Sequence, residues 1–282
     1  MKIIFDTDLT NEIDDCFSLV YLLKSELSKD LVAITLEPYD TFWQDYDNKT
    51  TMIRNNLEAN RILRIINDKR FNLIYNGSKY FLHENKTENY IEAVDKIVSL
   101  SKENKIVILA TGCLTNIALA LQKDKTIADN IKLIWLGGRN PFSNLKKLEF
   151  NLRQDIKAAQ VVFSNIKDIT MIYSKEIASS IKIPLDKIKT ELSNKNEICS
   201  YLLDKYLSLQ CVKDKGVKTL YDVTIPILLT HPEFYSLEKI SISGITDNGE
   251  YVLNEKYDNQ IKYCKNINTC NIIKELLQVL QK

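Results

Sequence analysis

Short apolar runs rich in β-branched residues alternate with longer amphipathic stretches through the first 175 residues of the chain. The apolar runs cover residues 2–5, 31–37, 71–76, 105–110, 131–138 and 168–173. The stretches between them have a helical pattern and cover residues 14–27, 50–68, 87–104, 115–124 and 155–163. Strands that are apolar throughout and alternate with helices are typical of a parallel sheet covered on both faces. We therefore expect an α/β fold with an open, mainly parallel central sheet flanked by helices.

Beyond residue 175 this alternation gives way to helix-like segments, an apolar run at residues 239–245 and a closing helix near residues 267–281. The sequence contains no linker rich in Gly, Ser or Pro, no internal repeat and no low-complexity tract. We expect residues 1–282 to form a single domain.

The charge balance argues against a polyanionic partner. Lys and Arg number 38 against 37 Asp and Glu, which gives a net charge of +1 and no overall field to attract nucleic acid or anionic lipid. The six cysteines form no CxxC pair, and no apolar run approaches the ~20 residues that span a bilayer. The start of the chain is too short in apolar residues for a signal peptide. These features predict a cytoplasmic protein that acts on a small molecule and binds neither nucleic acid nor membrane.

Ligands of such sheets sit outside the carboxyl ends of the strands, so the residues after each strand are the candidates for a site. The first run leads into FDTDLTNEIDD, and two later runs end at Thr111 and at Gly137. Five carboxylates lie within ten residues of the first loop: Asp6, Asp8, Glu12, Asp14 and Asp15. Such groups repel one another in a folded site unless they are solvated, protonated or bound to a cation. The loop therefore indicates a cation site.

Two families have an acidic motif behind the first strand. IIFDTDLT resembles the first motif of haloacid-dehalogenase-type phosphatases, which implies a magnesium enzyme with Asp6 as nucleophile and Asp8 as general acid. That resemblance needs a late acidic pair after a strand, where ITDNG at residues 245–249 supplies one Asp. It also leaves Glu12, Asp14 and Asp15 without a role.

DTDLTNEIDD also resembles the opening D-x-D-x-x-x-D-D motif of the nucleoside hydrolase family, the inosine-uridine-preferring N-ribosyl hydrolases. Here five residues, LTNEI, separate the second and third Asp, where the common form has three. Further segments resemble family motifs in the family's order: TGCLTNIALAL (111–121), WLGG (135–138), EFNLRQDIKAA (149–159) and YDVTIPILLTHPEFY (221–235). The resemblance spans residues 6–235 and identifies the chain as a divergent member of this family.

This resemblance implies a Rossmann-like nucleoside hydrolase fold and a calcium-dependent enzyme that cleaves the N-glycosidic bond of a ribonucleoside or related N-riboside to free ribose and base. The implied calcium ligands are Asp8, Asp15, Asp222 and the carbonyl of Thr111, oxygen donors of the kind that calcium prefers. Asp8 would also be the base that activates a metal-bound water, and Asp6 would orient the loop. The resemblance further implies a role in purine or pyrimidine salvage and a homo-oligomer, either a dimer or a tetramer.

Sugar contacts also follow from the resemblance. Asp14 would hold the 2′-hydroxyl, Asp222 the 3′-hydroxyl, and Glu149 and Asn151 the 5′-hydroxyl side and the ring. Such contacts fix the sugar and favour its flattening toward an oxocarbenium-like transition state.

The chain departs from the family at the leaving group. Tyr221 stands where purine-active members have a histidine that protonates the departing base, so the leaving-group acid is Tyr221, His83 or none. His231 is expected to be structural. Since the histidine is missing, a third hypothesis is a metal-dependent nucleoside or ribose binder without turnover.

Further residues near the predicted site have two interpretations each. Glu37 belongs either to the site or to a solvent-exposed strand end, and Cys113 is either a reactive thiol or a small buried residue in place of Pro. An aromatic cluster either stacks on a base or packs its own loop. This cluster comprises Tyr39, Phe42, Trp43 and Tyr46.

Overall fold

The computed structural model describes residues 1–40, 48–86, 88–142, 148–254 and 260–282, without the side chains at positions 48 and 49. The strands in these residues are β1 (Lys2–Thr7), β2 (Leu31–Leu36), β3 (Ile74–Asn76), β4 (Ile106–Ala110), β5 (Ile131–Leu136), β6 (Asp168–Ile172), β7 (Lys182–Pro184), β8 (Val217–Thr219), β9 (Tyr235–Ile245), β10 (Tyr251–Leu253) and β11 (Gln260–Ile267). The helices are α1 (Asp14–Lys24), α2 (Asn48–Ile65), α3 (Glu92–Glu103), α4 (Thr115–Lys123), α5 (Phe150–Gln154), α6 (Ile156–Asn165), α7 (Leu185–Leu192), α8 (Glu197–Ser208), α9 (Gln210–Lys215), α10 (Thr224–Thr230) and α11 (Thr269–Leu280).

One nine-stranded sheet organises the chain, with the strand order β10-β9-β11-β6-β5-β4-β1-β2-β3. The seven strands from β11 to β3 run parallel, while β9 is antiparallel to both β11 and β10. β7 and β8 form a separate antiparallel pair. Because β1 lies between β2 and β4, the strand order reverses at β1, and ligands of open α/β sheets bind at such reversal points.

Successive side chains of β1 face opposite helical layers, as the pleat of a strand requires. Ile3 and Phe5 pack into a core shared with α1, α2, α7, α8, α10 and α11. Ile4 packs into a second core shared with α3, α4 and α6. Packing against both helical layers therefore buries every residue of β1 after Lys2.

The predicted α/β fold with a mainly parallel sheet is confirmed. All six predicted strands of the first 175 residues are present, although β3 is only three residues long because residues 71–73 form a 3-10 turn. The five predicted helices and the closing helix are also present. The run at 239–245 is the second half of β9, which is eleven residues long.

The sequence did not predict β11, which joins the parallel strands to the antiparallel edge. Its residues QIKYCKNI include buried, partly buried and exposed positions, and two of them are lysines. Such a strand does not look like the fully buried strands of the sheet centre. Among the helices that the structure describes, none combines the length and apolarity needed to cross a membrane.

Candidate active site

Residues at the carboxyl ends of β1 and β4 form part of the site. Asp6 pairs in register with Ala110. Asp8, two residues after Asp6, and Thr111, directly after Ala110, therefore lie at the same edge of the sheet. The β1 strand continues into the acidic loop, and α1 begins at Asp14. Both strand ends therefore deliver polar residues at the point where the strand order reverses.

Asp14 and Asp15 occupy the first turn of α1, where the free backbone N–H groups favour negative charge. Two hydroxyls hold Asp15 by one oxygen: Thr7 Oγ1 donates to its Oδ1 at 2.6 Å, and Thr111 Oγ1 donates at 2.7 Å. The Thr7 and Thr111 hydroxyls therefore tie the helix to the ends of β1 and β4.

Asp222 comes from a distant part of the chain, just before α10. Carboxylate oxygens of Asp14, Asp15 and Asp222 all lie within 4.8 Å of one another, and all three side chains are buried. Asp8 is not part of that close group, although it is also buried. Its Oδ2 accepts a hydrogen bond of 2.8 Å from Asn11 Nδ2.

Burial and mutual repulsion shift the titration of these carboxyls upward. Burial, and then repulsion from Asp15, raises the pKa of Asp8 well above its ordinary value. Burial and the charge of Asp14 raise the pKa of Asp15 to about 6. Burial and the charges of Asp14 and Asp15 raise the pKa of Asp222 well above its ordinary value. The site therefore favours bound protons or a bound cation, and its oxygen donors fit a hard metal ion.

One pocket of about 170 Å³ collects these groups. Its lining consists of Asp8, Asn11, Glu12, Asp14, Asp15, Thr111, Leu136, Glu149, Phe150, Asn151, Ser174, Lys175, Tyr221 and Asp222. The residues to which the nucleoside hydrolase resemblance assigned a metal or sugar role are all among them. The structure therefore brings the predicted constellation together in one place.

Glu149 and Asn151 line the same pocket as the acidic loop. The Glu149 carboxylate accepts hydrogen bonds from the backbone N–H groups of Gly138 and Leu152, both at 3.0 Å, and from Ser174 Oγ at 3.1 Å. Asn151 Nδ2 donates to the carbonyls of Thr111 at 2.7 Å and Leu136 at 2.8 Å. Both side chains are thus fixed before any ligand binds.

Comparison with known proteins assigns the chain to a family. The model of the inosine-uridine preferring nucleoside hydrolase family matches residues 3–274. The chain belongs to this family. The predicted family is therefore confirmed, and the relatives in this family that carry names are nucleosidases or nucleoside hydrolases, which are N-glycosyl hydrolases.

Individual curated proteins of this family match the chain over shorter segments than the family model does. A probable uridine nucleosidase 2 of Oryza sativa subsp. japonica is 33% identical over 154 residues, 52% of this chain and 44% of the relative. An inosine-uridine preferring nucleoside hydrolase of Crithidia fasciculata is 27% identical over 158 residues, 53% of this chain and 50% of the relative. The chain thus matches about half the length of these curated relatives.

Solved nucleoside hydrolases share the fold over nearly the whole chain. A plant nucleoside hydrolase superposes with a TM-score of 0.80 at 18% identity, covering 99% of this chain and 98% of the other. A purine-preferring ribonucleoside hydrolase from Gardnerella vaginalis superposes with a TM-score of 0.77 at 20% identity, covering 100% and 98%. At these identities the likeness shows the fold alone.

Asp6, the nucleophile of the phosphatase hypothesis, does not line the pocket. Its side chain is fully buried, and its Oδ1 accepts hydrogen bonds from Thr35 Oγ1 at 2.5 Å and Asn116 Nδ2 at 3.1 Å. A nucleophile must reach its substrate, so this position, like the family match, counts against a phosphatase.

Glu37 is not a solvent-exposed strand end, because its side chain is completely buried. Its carboxylate accepts hydrogen bonds from the Asn116 backbone N–H and from Cys113 Sγ, both at 3.1 Å. Burial, with Asp6 nearby, raises the pKa of Glu37 well above its ordinary value. Cys113 is buried as well, and burial raises the pKa of its thiol, which makes it a packed small residue rather than a reactive thiol.

The two candidates for the leaving-group acid lie in different places. Tyr221 lines the pocket, whereas His83 lies outside it, half exposed and 3.5 Å from Asp155. His231 lies beside Glu233 and Glu275 at the end of α10, as expected for a structural residue. Of the proposed aromatic cluster, Tyr39 packs inside the protein, while Phe42, Trp43 and Tyr46 lie outside the described residues.

Sequence reasoning missed several residues near the pocket. Ser174 follows β6, so the strand-end rule would have found it. Asn11 and Glu12 were part of the acidic motif but received no role. Lys218, whose ammonium contacts Glu12 and Asp14, had no sequence signal, because a single lysine in a short strand matches no motif.

Proposed function

We propose that the protein is a calcium-dependent nucleoside hydrolase that cleaves the N-glycosidic bond of a ribonucleoside, or a related N-riboside, to free ribose and base. The observation that carries this proposal is the convergence of Asp8, Asp14, Asp15 and Asp222 on one pocket at the reversal point of a nucleoside hydrolase fold. Asp8, Asp15, Asp222 and the Thr111 carbonyl are the proposed metal ligands.

The ribose occupies the pocket that the acidic loop, Glu149 and Asn151 line. Asp14 accepts a hydrogen bond from the 2′-hydroxyl and Asp222 from the 3′-hydroxyl. Glu149 and Asn151 bind the 5′-hydroxyl side and the ring. Because all four side chains are buried, and those of Asp14, Glu149 and Asn151 are already hydrogen-bonded, the sugar is oriented at little further cost in conformational entropy.

The reaction is the attack of water on the anomeric carbon as the bond to the base nitrogen breaks. Asp8 accepts the proton that the attacking water loses, and the departing base takes up a proton at its nitrogen. Calcium, when bound, supplies positive charge that makes nearby water more acidic and attracts the sugar hydroxyls. The surrounding carboxylates stabilise the positive charge that develops on the ribose ring.

The departing base receives little help from the pocket. Among the described lining residues none is a histidine, and burial raises the pKa of Tyr221 above its ordinary value. Tyr221 therefore keeps its proton and acts at most as a hydrogen-bond donor. We expect nucleosides whose base leaves readily without protonation to react faster than those whose base must be protonated.

The test is the release of reducing sugar from purine, pyrimidine and modified nucleosides, with calcium and after chelation. Calcium-dependent release of ribose supports the proposal and identifies the leaving group. Saturable calcium-dependent binding of a nucleoside without any product would instead support the alternative, a binder without turnover.

Several broader properties are part of the same proposal. We propose that residues 1–282 act as one domain, and that the protein works in the cytoplasm in purine or pyrimidine salvage. We also propose a homo-oligomer, either a dimer or a tetramer. Size-exclusion chromatography with light scattering tests the oligomeric state.

A further inference from the structure

Lys218 carries a buried positive charge next to the acidic pocket. It is only 8% exposed, and no other lysine or arginine in the described part of the chain is buried. Its backbone is fixed, because Lys218 pairs with Ile183 across the β7–β8 pair and its N–H donates to Tyr206 Oη at 2.7 Å. The β7–β8 pair and Tyr206 therefore hold the backbone of Lys218 in place.

The Lys218 ammonium contacts two carboxylates of the acidic loop. It forms an ion pair with Glu12, and its Nζ lies 3.4 Å from Asp14 Oδ1. It also lies 5.3 Å from the ring centre of Tyr221, which lines the pocket. Burial lowers the pKa of Lys218, but the charges of Asp14 and Glu12 raise it more, so the amine stays protonated.

Asp14 and Asp222 differ in the hydrogen-bond donors and positive charge that stabilise their carboxylates. Asp14 has a donor for each oxygen, since Oδ1 faces Lys218 and Oδ2 accepts a hydrogen bond of 3.0 Å from the Tyr221 backbone N–H. For the Asp222 carboxylate, the described residues provide no N–H or hydroxyl donor, and its close neighbours are other carboxylates. Asp222 therefore depends on a bound cation or proton far more than Asp14 does.

We propose that Lys218 is a positioning residue that assigns the acidic residues to different tasks. It holds Asp14 as its ion-pair partner, which keeps Asp14 available for a sugar hydroxyl and out of the metal's coordination shell. It also weakens the binding of divalent cations by placing a fixed positive charge beside their site. This inference rests on the proposed function for the role of Asp14, but its effect on cation binding does not depend on turnover.

The experiment measures calcium binding to the full chain by calorimetry in the absence of nucleoside. We expect Lys218→Met to bind calcium about 10-fold more tightly, because a repelling charge is removed and Asp14 is released toward the metal. Lys218→Arg, which keeps the charge, should bind calcium as the unmodified protein does. The matched control is Lys205→Met, which removes a lysine from an ion pair with Glu58 outside the pocket and should leave calcium binding unchanged.

A lysine with only a structural role would give the opposite result, since disturbing the loop weakens calcium binding. Unchanged or weaker calcium binding in Lys218→Met would therefore overturn the proposal, as would equal tightening in Lys218→Arg. If Lys218→Met does not fold, the comparison is made between Glu12→Gln and Glu12→Gln/Lys218→Met. Glu12 is partly exposed, and its replacement by Gln removes one of the two carboxylates that would lose their ion-pair partner in Lys218→Met. The double variant should then bind calcium more tightly than Glu12→Gln.

Kinetics separate this proposal from the proposed function. If the chain hydrolyses a nucleoside, Lys218→Met should raise KM at least about 5-fold at saturating calcium, because Asp14 no longer holds its sugar-binding position. An unchanged KM would contradict the role of Asp14. If no nucleoside is hydrolysed by any variant, the proposed function fails, while the calcium measurements still decide the role of Lys218.

Discussion

Asp222 shows at the scale of a single residue how a binding site can destabilise the fold that carries it. Its carboxylate is buried close to Asp14 and Asp15, without an N–H or hydroxyl donor from the described residues. A buried charge without a partner costs folding free energy, and such costs are typical of functional sites.

We therefore expect Asp222→Asn to affect stability and function in opposite directions. The metal-free protein should gain about 1 to 2 kcal/mol in free energy of unfolding, because a repelling charge disappears at constant shape. Calcium binding should be lost, and kcat/KM on any nucleoside substrate should fall at least about 1000-fold. Urea unfolding in chelator and steady-state kinetics measure the two effects.

Asp129→Asn is the control, since Asp129 is exposed and its ion pair among the described residues is with the exposed Lys167. Its replacement should change the free energy of unfolding by less than about 0.5 kcal/mol and leave activity unchanged. A destabilised metal-free Asp222→Asn protein would show that the carboxylate is compensated in the fold, contrary to our interpretation of the site.

At the scale of the elements, one amide joins the ends of three strands beneath the site. Asn116, in the first turn of α4, donates from Nδ2 to Asp6 Oδ1 at 3.1 Å and to the Leu36 carbonyl at 3.0 Å. Its Oδ1 accepts a hydrogen bond of 3.1 Å from the Ser78 N–H. These bonds require the chain after β3 to approach very closely, and Gly77 stands at that point.

Gly77→Ala should separate these elements. A Cβ at this position would overlap the Leu36 carbonyl oxygen and lie 2.5 Å from Asn116 Oδ1, so the backbone must shift. We expect the free energy of unfolding to fall by about 2 to 4 kcal/mol, which chemical denaturation measures. Gly244→Ala in β9 is the matched control, because a Cβ there meets nothing within 4 Å. Equal stability of the two variants would contradict the close approach.

At the scale of the whole molecule, the buried carboxyls link stability to pH and, if the proposed function holds, to calcium. The pKa of Asp15 rises from 3.8 to about 6 on folding, through burial and the charge of Asp14. Burial also raises the pKa of Asp8 and of Asp222. The folded protein therefore binds more protons than the unfolded chain above about pH 4, and this contribution to stability is lost as the pH rises through about 6 and beyond.

Calcium should replace these protons. We expect the metal-free protein to lose stability between about pH 5 and pH 7.5, and added calcium to raise Tm by about 5 °C or more at pH 7.5 but by much less at pH 5. Thermal unfolding with calcium or chelator at several pH values measures this difference. An equal effect of calcium at both pH values would show that the buried carboxyls are not the binding groups.

Local sequence patterns determined most of the architecture. The apolar strands, the helices between them and the acidic loop behind β1 could all be read from the sequence, because periodicity and short motifs depend on near neighbours. Because these patterns are local, they did not predict β11. Its half-exposed residues form a strand through pairing with β6 and β9, which belong to other segments of the chain. The locality of these patterns also explains why the sequence leaves the burial of Glu37 open, because the groups that contact its carboxylate, Cys113 and Asn116, are distant along the chain.

The sequence by itself determined the family, the alternation of apolar strands with helices along the chain and the presence of a cluster of carboxylates. Only the tertiary structure decided which groups balance them. Lys218 lies more than 200 residues from Glu12 and Asp14 along the chain, yet its ammonium contacts both. Contacts at this separation form only when the sheet and both helical layers close around the site, and no local pattern records them.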